Sequence, residues 1–170
     1  DLRLGSSLVL VSDHVRGVRL SQLLAAAEKQ GTPVEFTAVA GLIRQLVGAM
    51  CALHESAPDA AHGALGPERL VVTADGRLVV LEYVMGTALE QLRCSQERYW
   101  KEWRIALPRA VGMHRFDAVT DVAQVGAVAL ALVVGRPIGA DEYPNRLGED
   151  VGAATATTAS GTSAPLPLGF

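Results

Sequence analysis

The chain has little net charge, few cysteines and no apolar run of membrane-spanning length, and each shortage removes a class of function. With 15 Lys and Arg against 18 Asp and Glu, the net charge is −3 and no run of basic residues stands out. That leaves no electrostatic footprint for nucleic acid and no basic patch for an anionic membrane surface. The two cysteines, Cys51 and Cys94, lie far apart, and Cys51 falls within an expected helix. They are expected to be reduced thiols packed as small hydrophobes, rather than a disulfide or a metal site. The apolar run Val122 to Val134 has 13 residues and includes Gln124, whereas a membrane span needs about 20. The chain starts at Asp1, and no basic stretch followed by an apolar core and cleavage site is visible. The expectation is a cytoplasmic protein without a membrane span, trimmed or only partly built.

Familiar enzyme signatures are missing as well. There is no GxGxxG, no P-loop, no nucleophile elbow and no cysteine pair at metal spacing. His54 and Glu55 begin a His-Glu-x-x-His zinc helix, but Pro58 takes the place of the second His. His14 and His114 stand alone. No metal site is expected.

What is present suits one domain: 170 residues, 49% of them hydrophobic, are enough to bury a core. Leu8 to Val11, Val-rich and flanked by Ser, reads as a strand, and Ser12 to Gly17 as a polar turn. Val18 to Lys29 reads as a helix with Leu20, Leu23 and Leu24 on one face. Thr32, Pro33 and Glu35 form a capping box, so a second helix should start there. Its stripe runs through Phe36, Val39, Ile43, Leu46, Val47 and Met50 and ends near Ser56, before Pro58. Leu70 to Thr73 and Leu78 to Leu81 flank Ala74, Asp75 and Gly76, and an Asp-Gly pair between such runs predicts a hairpin. Residues 85 to 109 mix charge with Tyr99, Trp100 and Trp103 and show no clean period. Trp100 and Trp103, three apart, are candidate partner contacts, with plain core as the bland alternative. Asp117 to Val134, closed by Gly135 and Pro137, is a helix apolar nearly all round and is expected to be the buried centre. From 148 to 170 the sequence becomes Ala, Thr, Gly, Ser and Pro and reads as a flexible tail.

The stretch His62 to Val84 resembles the catalytic loop, hairpin and metal-binding strand of protein kinases, matching in length without a gap. His62, Leu65, Pro67, Asp75 and Gly76 carry the match. Asp121, Val122, Gly126 and Gly135-Arg136-Pro137 resemble the central helix of the kinase large lobe. The resemblance covers roughly Leu8 to Pro144 and implies an α+β, mainly α fold: a kinase-like C-terminal lobe (1–147) with a short β-hairpin, its N-terminal lobe absent or incomplete. It further implies that Asp121 ties down the loop backbone, that His62 is a structural histidine under the loop, and that Ser12, Asp13, His14 and Val15 form a hinge able to hold adenine.

The reactive positions depart from the family. Ala64 stands at the catalytic Asp, Gly66 at the phosphate-reaching Lys, Arg69 at the metal-binding Asn, and Glu82, Tyr83 and Val84 at Asp-Phe-Gly. Leu107, Pro108 and Arg109 stand at Ala-Pro-Glu, reversing the charge of its acidic member. Phosphoryl transfer needs a base, metal ligands and cations on the phosphates. Ala64 cannot take a proton, a loss of roughly 100- to 10,000-fold, and Arg69 puts a positive charge where a metal would sit. Glu82, one methylene longer than Asp and without a second ligand, is a weak metal candidate. The expectation is a catalytically inactive, bacterial-type pseudokinase domain that scaffolds or regulates, needs no cofactor, and is covered by a protein partner or by the missing N-terminal lobe of the same polypeptide. The alternatives are a nucleotide-binding switch with weak ATP binding and no transfer, and a structural subunit of a larger assembly.

Overall fold

The computed structural model describes residues 2–4, 7–9, 11–57, 59–83, 85–108 and 113–143. Arg109, Val84, Pro144 and the expected tail from 148 lie outside them. The described residues are mainly helical, with two small antiparallel sheets. One is a hairpin of β1 (Leu2–Leu4) and β2 (Ser7–Val9), in register Leu2 to Val9. The strand expected alone at Leu8 to Val11 is therefore shifted toward the N-terminus and has a partner.

The second sheet joins β3 (Val18–Arg19), β4 (Leu70–Val72) and β5 (Leu78–Val80) in that order. The β4–β5 hairpin is as the Asp-Gly turn predicts: Gly76 adopts φ +78°, and its amide bonds the Thr73 carbonyl at 2.9 Å. β3 corrects the sequence reading, which ran the first helix from Val18. Val18 instead pairs with Val72 and Arg19 with Val71. Gly17 permits this, since a Cβ there would lie 2.5 Å from both the Val71 Cγ1 and the Val72 carbonyl oxygen.

Helix α1 (Leu20–Gln30) follows directly and ends at Gly31 in the left-handed conformation. It buries Leu20 and Leu24, while Leu23, expected on the same face, is exposed. α2 (Phe36–Ser56) does not start in the expected capping box. The Thr32 amide is already bonded to the Ala27 carbonyl at 3.1 Å, which commits it to the end of α1. Glu35 caps α2 instead, its carboxylate accepting from the Thr37 and Ala38 amides, each at 3.2 Å. Those bonds, with that from the Thr37 hydroxyl, hold its carboxyl below the usual range. α2 is also long and apolar enough, by length and composition, to cross a membrane. The apolar-run reading at 122–134 overlooked it because Gly, Arg44 and Gln45 interrupt its hydrophobic residues. Here its Val39, Leu46 and Met50 are buried in the core, with Phe36 and Val47 outside.

The region without clean periodicity contains α3 (Met85–Glu90) and α4 (Gln96–Trp103), the latter capped by Ser95 accepting from the Arg98 amide at 3.3 Å. α5 (Ala118–Val134) matches expectation at both ends, with Asp117 capping the Val119 and Thr120 amides and Gly135 left-handed. It is not enveloped, however. Val128, Ala131 and Leu132 are buried, but Val119, Val122 and Val133 are exposed by 66%, 67% and 53%. The main core lies where α1, α2, α5 and the second sheet meet, and a second cluster gathers Ala64, Leu89, Tyr99, Ile105 and Leu107. Both cysteines are free thiols, as expected; Cys94 packs half-buried against the second cluster, whereas Cys51 is exposed and not packed as a core hydrophobe.

Glycines separate packing from propensity. A Cβ on Gly86 would sit 2.1 Å from the His62 carbonyl oxygen, whereas one on Gly48, inside α2, meets nothing within 4 Å. Gly86→Ala is expected to destabilise the fold by about 2 kcal/mol or more, and Gly48→Ala to stabilise it by about 0.5–1 kcal/mol. Urea unfolding monitored by circular dichroism checks both; a neutral Gly86→Ala would mean that α3 does not press on the loop as described.

Candidate functional site

The loop from His62 to Arg69 is largely buried, an arrangement possible only if its backbone polar groups find partners. α5 supplies them. Asp121, fully buried, accepts from the His62 amide at 2.8 Å through Oδ2 and from the Gly63 amide at 2.7 Å through Oδ1. This is the tie that the sequence reading assigned to Asp121. One turn on, the Gln124 Oε1 accepts from the Leu65 amide at 2.7 Å, and its Nε2 donates to the Gly63 carbonyl at 2.8 Å. His54, at the end of α2, places Nε2 2.9 Å from Asp121 Oδ2. Sequence reasoning missed both. Gln124 was visible as a polar residue three after Asp121 in an apolar helix, the spacing that puts both on one face; His54 gave no comparable signal.

His62 is fully buried, as a structural histidine should be. Its Nε2 donates to the Leu81 carbonyl at 2.8 Å, and its Nδ1 accepts from the Ala64 amide at 3.2 Å. The two bonds select one neutral tautomer. Burial pushes the imidazole below its usual value of 6.5, against the smaller upward pull of the Leu81 carbonyl and Asp121. Gly63 turns the chain at φ +71°, and a Cβ there would be 2.8 Å from the Phe116 Cβ.

The positions that differ from the kinase pattern are built into this frame. Ala64 is wholly buried, its methyl packed in the cluster with Tyr99, Ile105 and Leu107. A Cβ on Gly66 would lie 3.2 Å from the Arg104 carbonyl oxygen and 3.3 Å from Glu68 Oε2, so a longer side chain is tightly hemmed in. The Arg69 side chain is 8% exposed. Its Nη1 donates to the Trp103 carbonyl at 3.2 Å, and its Nε lies 3.4 Å from Glu82 Oε2, near but not aligned as a hydrogen bond. Burial lowers the Arg69 pKa, with Glu82 and Glu68 opposing the shift. Arg19 approaches Glu82 from the other side, Nη2 to Oε1 3.6 Å, and its Nη1 donates to the Glu68 carbonyl. Glu82 itself holds φ +65°, unusual for a residue with a side chain.

Glu82 thus sits between two guanidinium groups. A divalent ion ligated by Glu82 would lie beside these two like-charged groups, which disfavours it there. Among the described residues, no group of three or more His, Cys, Asp and Glu is placed to hold a metal.

Ser12, Asp13, His14 and Val15 line an open groove of about 390 Å³ together with Arg19, Val71 and Glu82. The structure therefore brings the hinge-like segment and Glu82 together. Trp100 and Trp103 do not make one face. Trp100 is buried in the main core, its indole N–H donating to the Gly139 and Ala140 carbonyls at 3.1 and 3.0 Å. Trp103 is half-buried against the second cluster, 5.7 Å from the Tyr99 ring. Trp100 is a core residue, so of the two readings left open for it the core one holds and the partner contact does not. Leu107 is buried, its carbonyl accepting from Gln96 and Tyr143.

Because the fold holds His62 neutral, its contribution to stability is complete above pH 6.5 and falls away as the pH drops below that value. NMR titration of the imidazole is expected to give a midpoint below 6.5 and the Nε2-protonated tautomer; a midpoint above 6.5 would contradict the burial described.

Compared with protein-family models, curated proteins and solved structures, the chain matches none.

Proposed function

We propose that this chain is a pseudokinase-type domain, a noncatalytic module that regulates or scaffolds through protein contacts. The observation that carries the reading is the Arg69 guanidinium against the Glu82 carboxylate, 3.4 Å apart. The loop amides held by Asp121 fit a retained frame, and the buried methyl of Ala64 leaves it without a proton acceptor at the position of the base. A protein partner, or further residues of the same polypeptide, has an apolar surface to cover: α5 exposes Val119, Val122 and Val133, and α2 exposes Phe36 and Val47.

A second reading, nucleotide binding without transfer, is favoured by the groove between Ser12–Val15 and Glu82. Here Arg19, which lines the groove, would supply the positive charge that a metal otherwise brings to phosphates, so binding would not depend on Mg²⁺.

Phosphotransfer from radiolabelled ATP to a generic protein acceptor is expected to stay at background in both wild type and Glu82→Ala. Turnover in the wild type that vanishes in Glu82→Ala would overturn the proposal. Thermal unfolding with ATP separates the two readings, since a ligand of the folded state raises Tm. The scaffold reading predicts no shift; the nucleotide reading predicts a shift unchanged by Mg²⁺. A shift that appears only with Mg²⁺ would contradict both.

A further inference from the structure

Helix α2 packs Val39, Leu46 and Met50 into the core and turns its opposite side outward. At about 100° of rotation per residue, that outer side carries Arg44, Val47, Gly48, Cys51, Ala52 and Glu55, and all six are exposed. The middle of the face is apolar: Val47 is 43% exposed, the Cys51 thiol is free, and a Cβ on Gly48 would meet nothing within 4 Å. Its two charges are of opposite sign, and neither Arg44 nor Glu55 belongs to an ion pair among the described residues. The solvent face of a surface helix is ordinarily polar, so an outward face with an apolar centre between two unpaired charges is a contact surface.

The six positions are their own complement. The pairs 44 and 55, 47 and 52, and 48 and 51 share one midpoint, between Ala49 and Met50. A second α2 laid antiparallel about that midpoint sets Arg44 of each copy against Glu55 of the other, Val47 against Ala52, and Gly48 against Cys51. That is the isologous contact of a two-fold dimer, in which one patch meets itself. A parallel pair would instead set Arg44 against Arg44 and Glu55 against Glu55. Gly48, Cys51 and Ala52 are small, so the axes can approach toward the lower end of the roughly 8–10 Å seen between packed helices. We infer that α2 is a self-association face, pairing antiparallel with α2 of a second copy of this chain. The shared stretch, residues 43–56, is about 21 Å long, so the dimer belongs with small, transient interfaces and forms at high concentration. A membrane suits the face less well, although α2 is long and apolar enough to cross one: a span would place the unpaired Arg44 close to the helix midpoint, where a cation is strongly disfavoured. The inference stands apart from the pseudokinase reading, since phosphotransfer and nucleotide binding concern the groove and leave α2 untouched.

Sedimentation velocity of the full chain from about 10 µM to about 1 mM, at low salt and under reducing conditions, tests it. A concentration-dependent monomer–dimer equilibrium is expected. Arg44→Glu and Glu55→Arg each place like charges together twice across the two-fold axis, so each is expected to weaken the dimer by about 10-fold or more. The double variant Arg44→Glu with Glu55→Arg restores both pairs and is expected to dimerise as the wild type does. Added salt should weaken the wild-type dimer and strengthen the single variants. All three positions are exposed or solvent-facing changes, and circular dichroism is expected to show an unaltered fold in each variant. A chain that stays monomeric throughout would overturn the inference, leaving other residues of the polypeptide or an unrelated protein to cover α2. So would a dimer indifferent to the single variants, a double variant no better than either single one, or binding to neutral lipid vesicles in place of dimerisation.

Discussion

The structure depends on one carboxylate. Asp121 is withdrawn from solvent entirely and accepts from two consecutive loop amides while His54 approaches the same oxygen. Each amide stranded without it would cost roughly 1–3 kcal/mol, so the loop keeps its path only while α5 presents this residue. Gln124 repeats the device one turn later, and between them α5 and the end of α2 fix residues 62–65. His62 then carries the constraint onward, linking the loop to the residue after β5 through the Leu81 carbonyl. Helix, loop and hairpin thus form one hydrogen-bonded unit, and what the loop presents to the groove is set by it.

That unit presents Glu82 to the groove, with the buried Arg69 set against it. An ion pair joins the loop to the segment after β5, with Arg19 at the other oxygen of the same carboxylate. The residues at 64, 66 and 69 fit their surroundings: a methyl packed in an apolar cluster, a glycine where a side chain is hemmed in, and a cation set against a carboxylate.

How much of this could be read from residues alone follows from the physics of each element. The hairpin and the limits of α5 were legible because they rest on local turn chemistry and caps, whereas the role of Asp121 was implied only by the resemblance of its helix to the kinase central helix. β3 was not, since pairing of Val18 with Val72 is a long-range event made possible by the bare backbone of Gly17. α2 was legible as a helix but not in its cap, because the Thr32 amide is shared with the previous helix. The apolar composition of α5 suggested a helix surrounded on all sides. Its exposed Val119, Val122 and Val133 belong to a face that the described residues leave uncovered, which composition cannot distinguish from a buried one. Arg19 and His54 were missed because each acts on a residue more than 60 positions away, Glu82 and Asp121 respectively.

The central claim is that Arg69 occupies the place of a cation beside Glu82. Titration of Mn²⁺ into the protein, with ATP present and followed by electron paramagnetic resonance, tests it directly. The account predicts no protein-bound Mn²⁺ in the wild type and one new site in Arg69→Asn that disappears when Glu82→Ala is added. A site in the wild type that Glu82→Ala removes would contradict it.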